Sequence, residues 1–182
     1  LTEIQETLKT DLTLFTLMTL EEELKQAFEQ EKQRLGFNAT FEEIDDVFFI
    51  TDYIKQQRFV STKLSRQLIR RIVEMYNSWA SMCHRLLMPN PGNIIDLRES
   101  KIIGEEERKL LNETLERIME LSSRSSIIGL KGDEQVEGEF IDEAVAFWHE
   151  HAKNGIITIL EKINTVWKDG DQEDSEKPQQ SY

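Results

Sequence analysis

The groups in this chain that could hold a metal or move a proton are His84, His149 and His151, the single cysteine Cys83, and a large excess of carboxylates. Carboxylate-bridged metal sites in helical proteins use Glu-x-x-His, because a three-residue step puts both ligands on one helical face. The residues three and four places before His149 are Ala146 and Val145, and before His151 they are Trp148 and Phe147. Neither histidine therefore has an acidic partner at helical spacing. His151 falls beside an apolar stripe, which predicts a hydrogen-bonded core histidine, and His149 is expected to be solvated. Cys83 precedes His84 directly, and adjacent helical residues point about 100° apart. A thiol-imidazole pair is not expected there, and a buried structural cysteine is. No Gly-rich phosphate loop and no nucleophile elbow is present, so covalent catalysis has no visible basis.

Two carboxylate pairs have the spacing that metal chemistry needs. Glu113-x-x-Glu116 and Glu139-x-x-Asp142 each put two carboxylates on one face of a helix, and four oxygen ligands from neighbouring helices would suit Mg²⁺. This resembles the ExxE and ExxD pattern of the all-α nucleotide pyrophosphohydrolases, the MazG-like family, over about residues 112 to 168. The resemblance implies that these four carboxylates hold the metal that binds a substrate's phosphates. Asn112 stands where the family's double Glu would have its first member. With 35 acidic residues, pairs at this spacing also arise by chance, as Glu43-x-x-Asp46 does. Exposed acidic faces are the bland account of all three.

A second anomaly is positive. Between Asp52 and Glu74 the only charged residues are Lys55, Arg58, Lys63, Arg66, Arg70 and Arg71, and Lys63, Arg66 and Arg70 share a helical face. A bend followed by an Arg-bearing helix resembles a helix-turn-helix, which would read nucleic acid. The whole-chain charge of −13 opposes such binding. Pairing with acidic neighbouring helices, with an acidic tail or with a protein partner accounts for the patch more economically.

The elements that must position these groups are helices. Between Gly36 and Pro89 there is neither Gly nor Pro. Thr40 with Glu43 makes a capping box that starts a helix at 41, with a stripe of Ile44, Val47, Ile50 or Thr51, and Ile54. A single helix from 41 to 88 would be about 72 Å long, so a bend is predicted near Phe59 to Thr62. Leu68, Ile72, Met75, Trp79, Met82 and Leu86 then predict a helix over about 61–88. Upstream, Ile4, Leu8, Leu12, Phe15, Met18, Leu24 and Phe28 predict a helix over 1–35, closed by Gly36. It carries one weak point at the strand-compatible Leu12 to Leu17 and a second capping box at Thr19 and Glu22. Pro89 to Asn93 is a turn. A helix over 104–123 turns Leu111, Leu115, Ile118 and Leu121 or Ser122 inward, and Gly129 and Gly132 mark a connection. A last helix over 133–167 carries Ile141, Ala144, Trp148, Ala152, Ile156, Ile159 and Ile163 on one face.

These elements predict an all-α fold, an up-and-down bundle of four to five long antiparallel helices. Residues 1–168 form the domain and 169–182 an acidic polar tail. Hydrophobic residues at 38% and charged ones at 31% fit a folded domain. One cysteine excludes an internal disulfide and points to an intracellular, reducing setting, and no apolar run reaches the roughly 18 residues of a membrane span. A cytoplasmic location is expected, with a start at Leu1 consistent with a trimmed product. The expected function is non-catalytic: an interaction protein without cofactor, working as a homo-oligomer or as a small subunit of a larger assembly. A Mg²⁺-dependent pyrophosphohydrolase is the alternative, and nucleic-acid binding through the basic helix the third reading.

Overall fold

The computed structural model describes the backbone of residues 20–175 and the side chains of residues 20–169. The apolar positions before Leu20, the Leu12 to Leu17 stretch and the Thr19 cap lie outside the described residues. Within them the chain is all-helical, with no strand, and no helix is long and apolar enough to cross a membrane. The elements are α1 (20–35), α2 (Phe41–Phe48), α3 (Ile50–Gln57), α4 (Leu64–Leu87), α5 (Ile94–Ile102), α6 (Glu105–Lys131), α7 (Gln135–Phe147), a π-helical turn (Trp148–Ala152) and α8 (Lys153–Ser175). Among the described residues they fall into two compact units, one of residues 20–76 with Leu121–Val145, the other of Asn77–Glu120 with residues 146–175.

In the first unit, α1 ends where expected. Gly36 takes φ +71°, a left-handed conformation that costs glycine nothing, and its N–H donates to the Lys32 carbonyl at 2.9 Å. The capping box at Thr40 forms in full. The Thr40 hydroxyl accepts from the Glu43 N–H at 3.2 Å, and the Glu43 carboxylate accepts from the Thr40 N–H at 2.8 Å.

The helix expected to run on from 41 to about 58 is instead two helices. Phe49, at φ 52°, breaks it in a conformation that costs a non-glycine residue roughly 1–2 kcal/mol. Asp45 holds the break, its carboxylate accepting from the Thr51 N–H at 2.7 Å and the Thr51 hydroxyl at 2.8 Å. The break buries both Phe48 and Ile50 and leaves the Phe49 ring outside. Arg58, also left-handed, ends α3, and the predicted bend follows in residues 58–63.

Around these helices the core of the unit is aromatic at its centre. Phe28 meets Phe37 and Phe41 edge-on, with ring centroids 5.5 and 5.4 Å apart, and Phe48 meets Tyr76 in the same way. The buried Tyr76 hydroxyl donates to the Ala144 carbonyl at 2.5 Å, which satisfies its polar end without water.

The second unit packs Cys83, Leu86, Ile103, Leu111, Ile159 and Ile163 into one apolar cluster. Helix α6 is longer than expected, because Gly129 lies within it and Gly132, at φ +68°, closes it. Its expected inward positions Leu111, Ile118 and Leu121 are buried. The last helix is interrupted by the π turn, in which the Lys153 N–H reaches back five residues to the Trp148 carbonyl. Backbone helix continues to Ser175, into the stretch expected to be a polar tail.

Two glycines test how tightly this packing is set. A Cβ on Gly138 would lie 2.7 Å from the Leu35 carbonyl oxygen, and one on Gly155 would lie 2.3 Å from a Leu110 methyl. Backbone cannot give way, whereas a leucine terminus can rotate. Gly138→Ala is therefore expected to cost about 1–3 kcal/mol and Gly155→Ala less, as read from urea unfolding midpoints at unchanged m. The reverse order would refute this account of the α1–α7 approach.

Candidate functional site

The carboxylates singled out for Mg²⁺ are engaged in ordinary work, or face solvent. Asp142 accepts from the Asn38 N–H at 2.8 Å, the Ala39 N–H at 2.9 Å and the Asn38 side-chain amide at 2.9 Å, and so fastens the loop between α1 and α2. Glu139 is exposed, 3.7 Å from Arg124. On α6, Glu116 accepts from the Asn112 side chain at 2.7 Å, and Glu113 is exposed. Among the described residues no group of three or more His, Cys, Asp or Glu is arranged to hold a metal ion.

Among the histidines, His84 and His149 are exposed, and His151 is as well, contrary to the core position expected for it. The π turn is the reason. It carries the inward face from Phe147 to Ala152 in five residues, and His151 passes to the outside. Trp148 at the start of the turn stacks on Trp79, with ring centroids 3.9 Å apart. Cys83 is buried as expected, and burial pushes its thiol up to about 11, far from the range of a working nucleophile.

The six basic residues separate into two groups. Lys55 pairs with Glu21 at 3.1 Å, and Arg71 donates through Nε to the Phe48 carbonyl at 2.7 Å while lying 5.4 Å from the Tyr53 ring centre. Arg58 is exposed at the end of α3. Lys63, Arg66 and Arg70 instead line one cavity of about 350 Å³ at the start of α4, together with Tyr53, Phe59 and Gln67. Lys63 pairs with Glu134 at 3.1 Å, and that carboxyl is held below its usual range by Lys63 and then by Arg34. Arg66 donates through Nε to Glu137 at 3.1 Å. Arg70 is exposed and makes no ion pair among the described residues. A second cavity, of about 440 Å³, is lined by Arg66, Arg70, Glu74, Ser125 and Glu137 among others.

Glu137 was not a residue that spacing could single out. It has no exposed surface, and its second oxygen accepts from the buried Ser65 hydroxyl at 2.5 Å. A carboxylate so placed orients Arg66 from beneath.

Helix α5 is the other feature absent from the sequence reading, although Asn93, whose side chain accepts from the N–H groups of Ile95 and Asp96, is a regular N-cap signal. The helix is built inside out. Asp96, Glu99 and Ser100 are buried, while Ile94 is 82% and Ile95 49% exposed. Arg85 answers the buried acids, at 2.5 Å from Glu99 and 3.3 Å from Asp96, and Trp167 donates its indole N–H to Glu99 at 3.1 Å. Burial works against the charge of Arg85, but Glu99 and then Asp96 outweigh it and raise its pKa. Arg98 covers the Trp167 ring at 4.2 Å.

Compared with known proteins, the chain matches no family model, no curated protein and no solved structure.

Two outcomes follow from these positions. Glu137→Ala, which strips the buried Ser65 and the half-buried Arg66 of their acceptor, is expected to cost about 1–3 kcal/mol in chemical unfolding. Glu134→Ala, at an exposed pair, is expected to cost far less, and equal losses would refute the distinction. Cys83 in the folded chain is expected to resist iodoacetamide at neutral pH and to react promptly once urea unfolds it; fast labelling of the native protein would contradict its burial.

Proposed function

We propose that the chain is a non-catalytic interaction protein, read as an up-and-down helical bundle that works as a homo-oligomer or as a small subunit of a larger assembly. The observation that carries this reading is α5. A helix that buries its acids and presents two isoleucines to water gains nothing from that arrangement as a lone chain, because exposed apolar surface is better placed in a core or a contact. Met88, 70% exposed just before the Pro89 turn, adds a third apolar side chain on the same stretch. An apolar patch of this kind can meet its own copy across a two-fold axis, which needs no second type of chain.

The internal engagement of Lys55 and Arg71 supports scaffolding over a nucleic-acid surface, since these cations already have acceptors within the fold. The buried, weakly acidic Cys83 and the exposed histidines fit the same reading.

Self-association is the arm that this chain can test alone. Sedimentation velocity over a wide concentration range is expected to reveal a reversible oligomer, and Ile94→Asp with Ile95→Asp is expected to leave a monomer with unchanged helicity. A wild type that stays monomeric throughout, or a double variant that still associates, overturns self-association through α5.

A further inference from the structure

The 350 Å³ cavity between the end of α3 and the first turns of α4 lies in the size range of small-ligand sites, about 300–1,000 Å³. Its lining is unusual for this protein. The chain carries 35 acidic residues against 22 basic ones, yet three cations and no carboxylate line this space. The remaining polar side chains of the lining are Tyr53, Ser61 and Thr62 with their hydroxyls and two glutamines with their amides, all able to donate.

The walls are fixed before any ligand arrives. The Gln67 side chain ties down the loop, its oxygen accepting from the Ser61 N–H at 3.0 Å and its amide donating to the Phe59 carbonyl at 3.4 Å. Arg71 lies against the Tyr53 ring. Glu137 engages Arg66 through Nε alone, so both terminal nitrogens of that guanidinium make no hydrogen bond among the described residues. Arg70 has no ion pair there at all. These donors have no structural task that their positions explain, and Phe59, 54% exposed, puts an aromatic ring at the rim.

We propose that this cavity binds a small phosphate monoester with an aromatic or apolar body, the phosphate held by Lys63, Arg66 and Arg70 and the body placed against Tyr53 and Phe59. A phosphate dianion offers three acceptor oxygens to converging donors, which matches three cations and two hydroxyls better than a carboxylate does. A small ligand also suits the long-range field. The −13 net charge repels a polyanion along its length, whereas a single dianion inside the cavity feels chiefly the cations in contact with it. The proposal is independent of self-association through α5, which uses other residues.

The test is calorimetric titration of the full chain with phenyl phosphate, inorganic phosphate and phenol. Saturable binding is expected in the order phenyl phosphate, inorganic phosphate, then phenol with none detectable. Arg70→Gln is expected to weaken phenyl phosphate by about tenfold or more at an unchanged melting temperature, because Arg70 makes no hydrogen bond or ion pair among the described residues. Phe59→Ala is expected to bind inorganic phosphate as the wild type does and to lose the preference for phenyl phosphate. Lys109→Gln, an exposed change on α6, serves as the control and is expected to bind normally. Absence of saturable phenyl phosphate binding, equal affinity in Arg70→Gln, or phenol binding as well as its phosphate would overturn the proposal. So would a single-stranded RNA oligomer that displaces phenyl phosphate and binds more tightly.

Discussion

A carboxylate sealed from water must be answered by hydrogen-bond donors, because burying it unpaired is costly, and in the first unit much of the local order follows from how Glu137 is answered. Its two oxygens take the Ser65 hydroxyl and the Arg66 Nε, both on the opening turn of α4. One turn earlier on the same stretch, Glu134 draws in Lys63 and Arg34. One residue later, Gly138 lets the α1 terminus approach to backbone contact. The start of α7 is thus the joint at which the end of α1 and the beginning of α4 are fixed, and the basic cavity is a by-product of that joint. Salt bridges of this kind stabilise less than they specify. Their effect here is to decide which cations face the cavity.

The second unit solves the same problem with the same signs. There the acids of α5 turn inward, and one guanidinium, Arg85, with one indole N–H meets them. The desolvation of Asp96 and Glu99 is offset by directed hydrogen bonds, so no buried side-chain polar atom among the described residues is left without a partner. The isoleucines of the same helix are left over. A short helix cannot turn both faces inward, and the polar face has the directional partners.

How far this was legible in the sequence depends on whether the signal was local. The Thr40 capping box, the Gly36 stop and the bend after Arg58 are settled by residues within a few places of one another, and each appears where it was expected. The apolar stripe of α4 was legible too. Leu68, Ile72 and Leu86 are buried, although Tyr76 and Cys83 sit deeper than Met75 and Met82 because a long helix drifts from a strict heptad. The break at Phe49 was not legible, because α2 and α3 share an unbroken helical pattern and only the Asp45 to Thr51 clamp separates them. Helix α5 was passed over because its apolar residues do not repeat, and its acids are buried by an arginine eleven and fourteen residues upstream. The four carboxylates had the right spacing for a metal, but spacing says nothing of a loop amide, and Asp142 was claimed by Asn38 and Ala39 from more than a hundred residues away.

The π turn at Trp148–Ala152 has a consequence for how this chain can change length. It holds one residue more than a regular turn would, and beyond it Ala152, Ile156, Ile159 and Ile163 resume the ordinary four-and-three rhythm on the inward side. Deleting a single residue there would restore α winding and keep the downstream rhythm in place, whereas deleting one from the regular α turns on either side would swing everything beyond by about 100° about the helix axis, taking those four side chains out of register with Leu111 and Cys83. The turn therefore acts as a vernier on the last helix. A one-residue deletion can be absorbed within this turn, where the histidines face open water, but not in the α-helical turns that follow it.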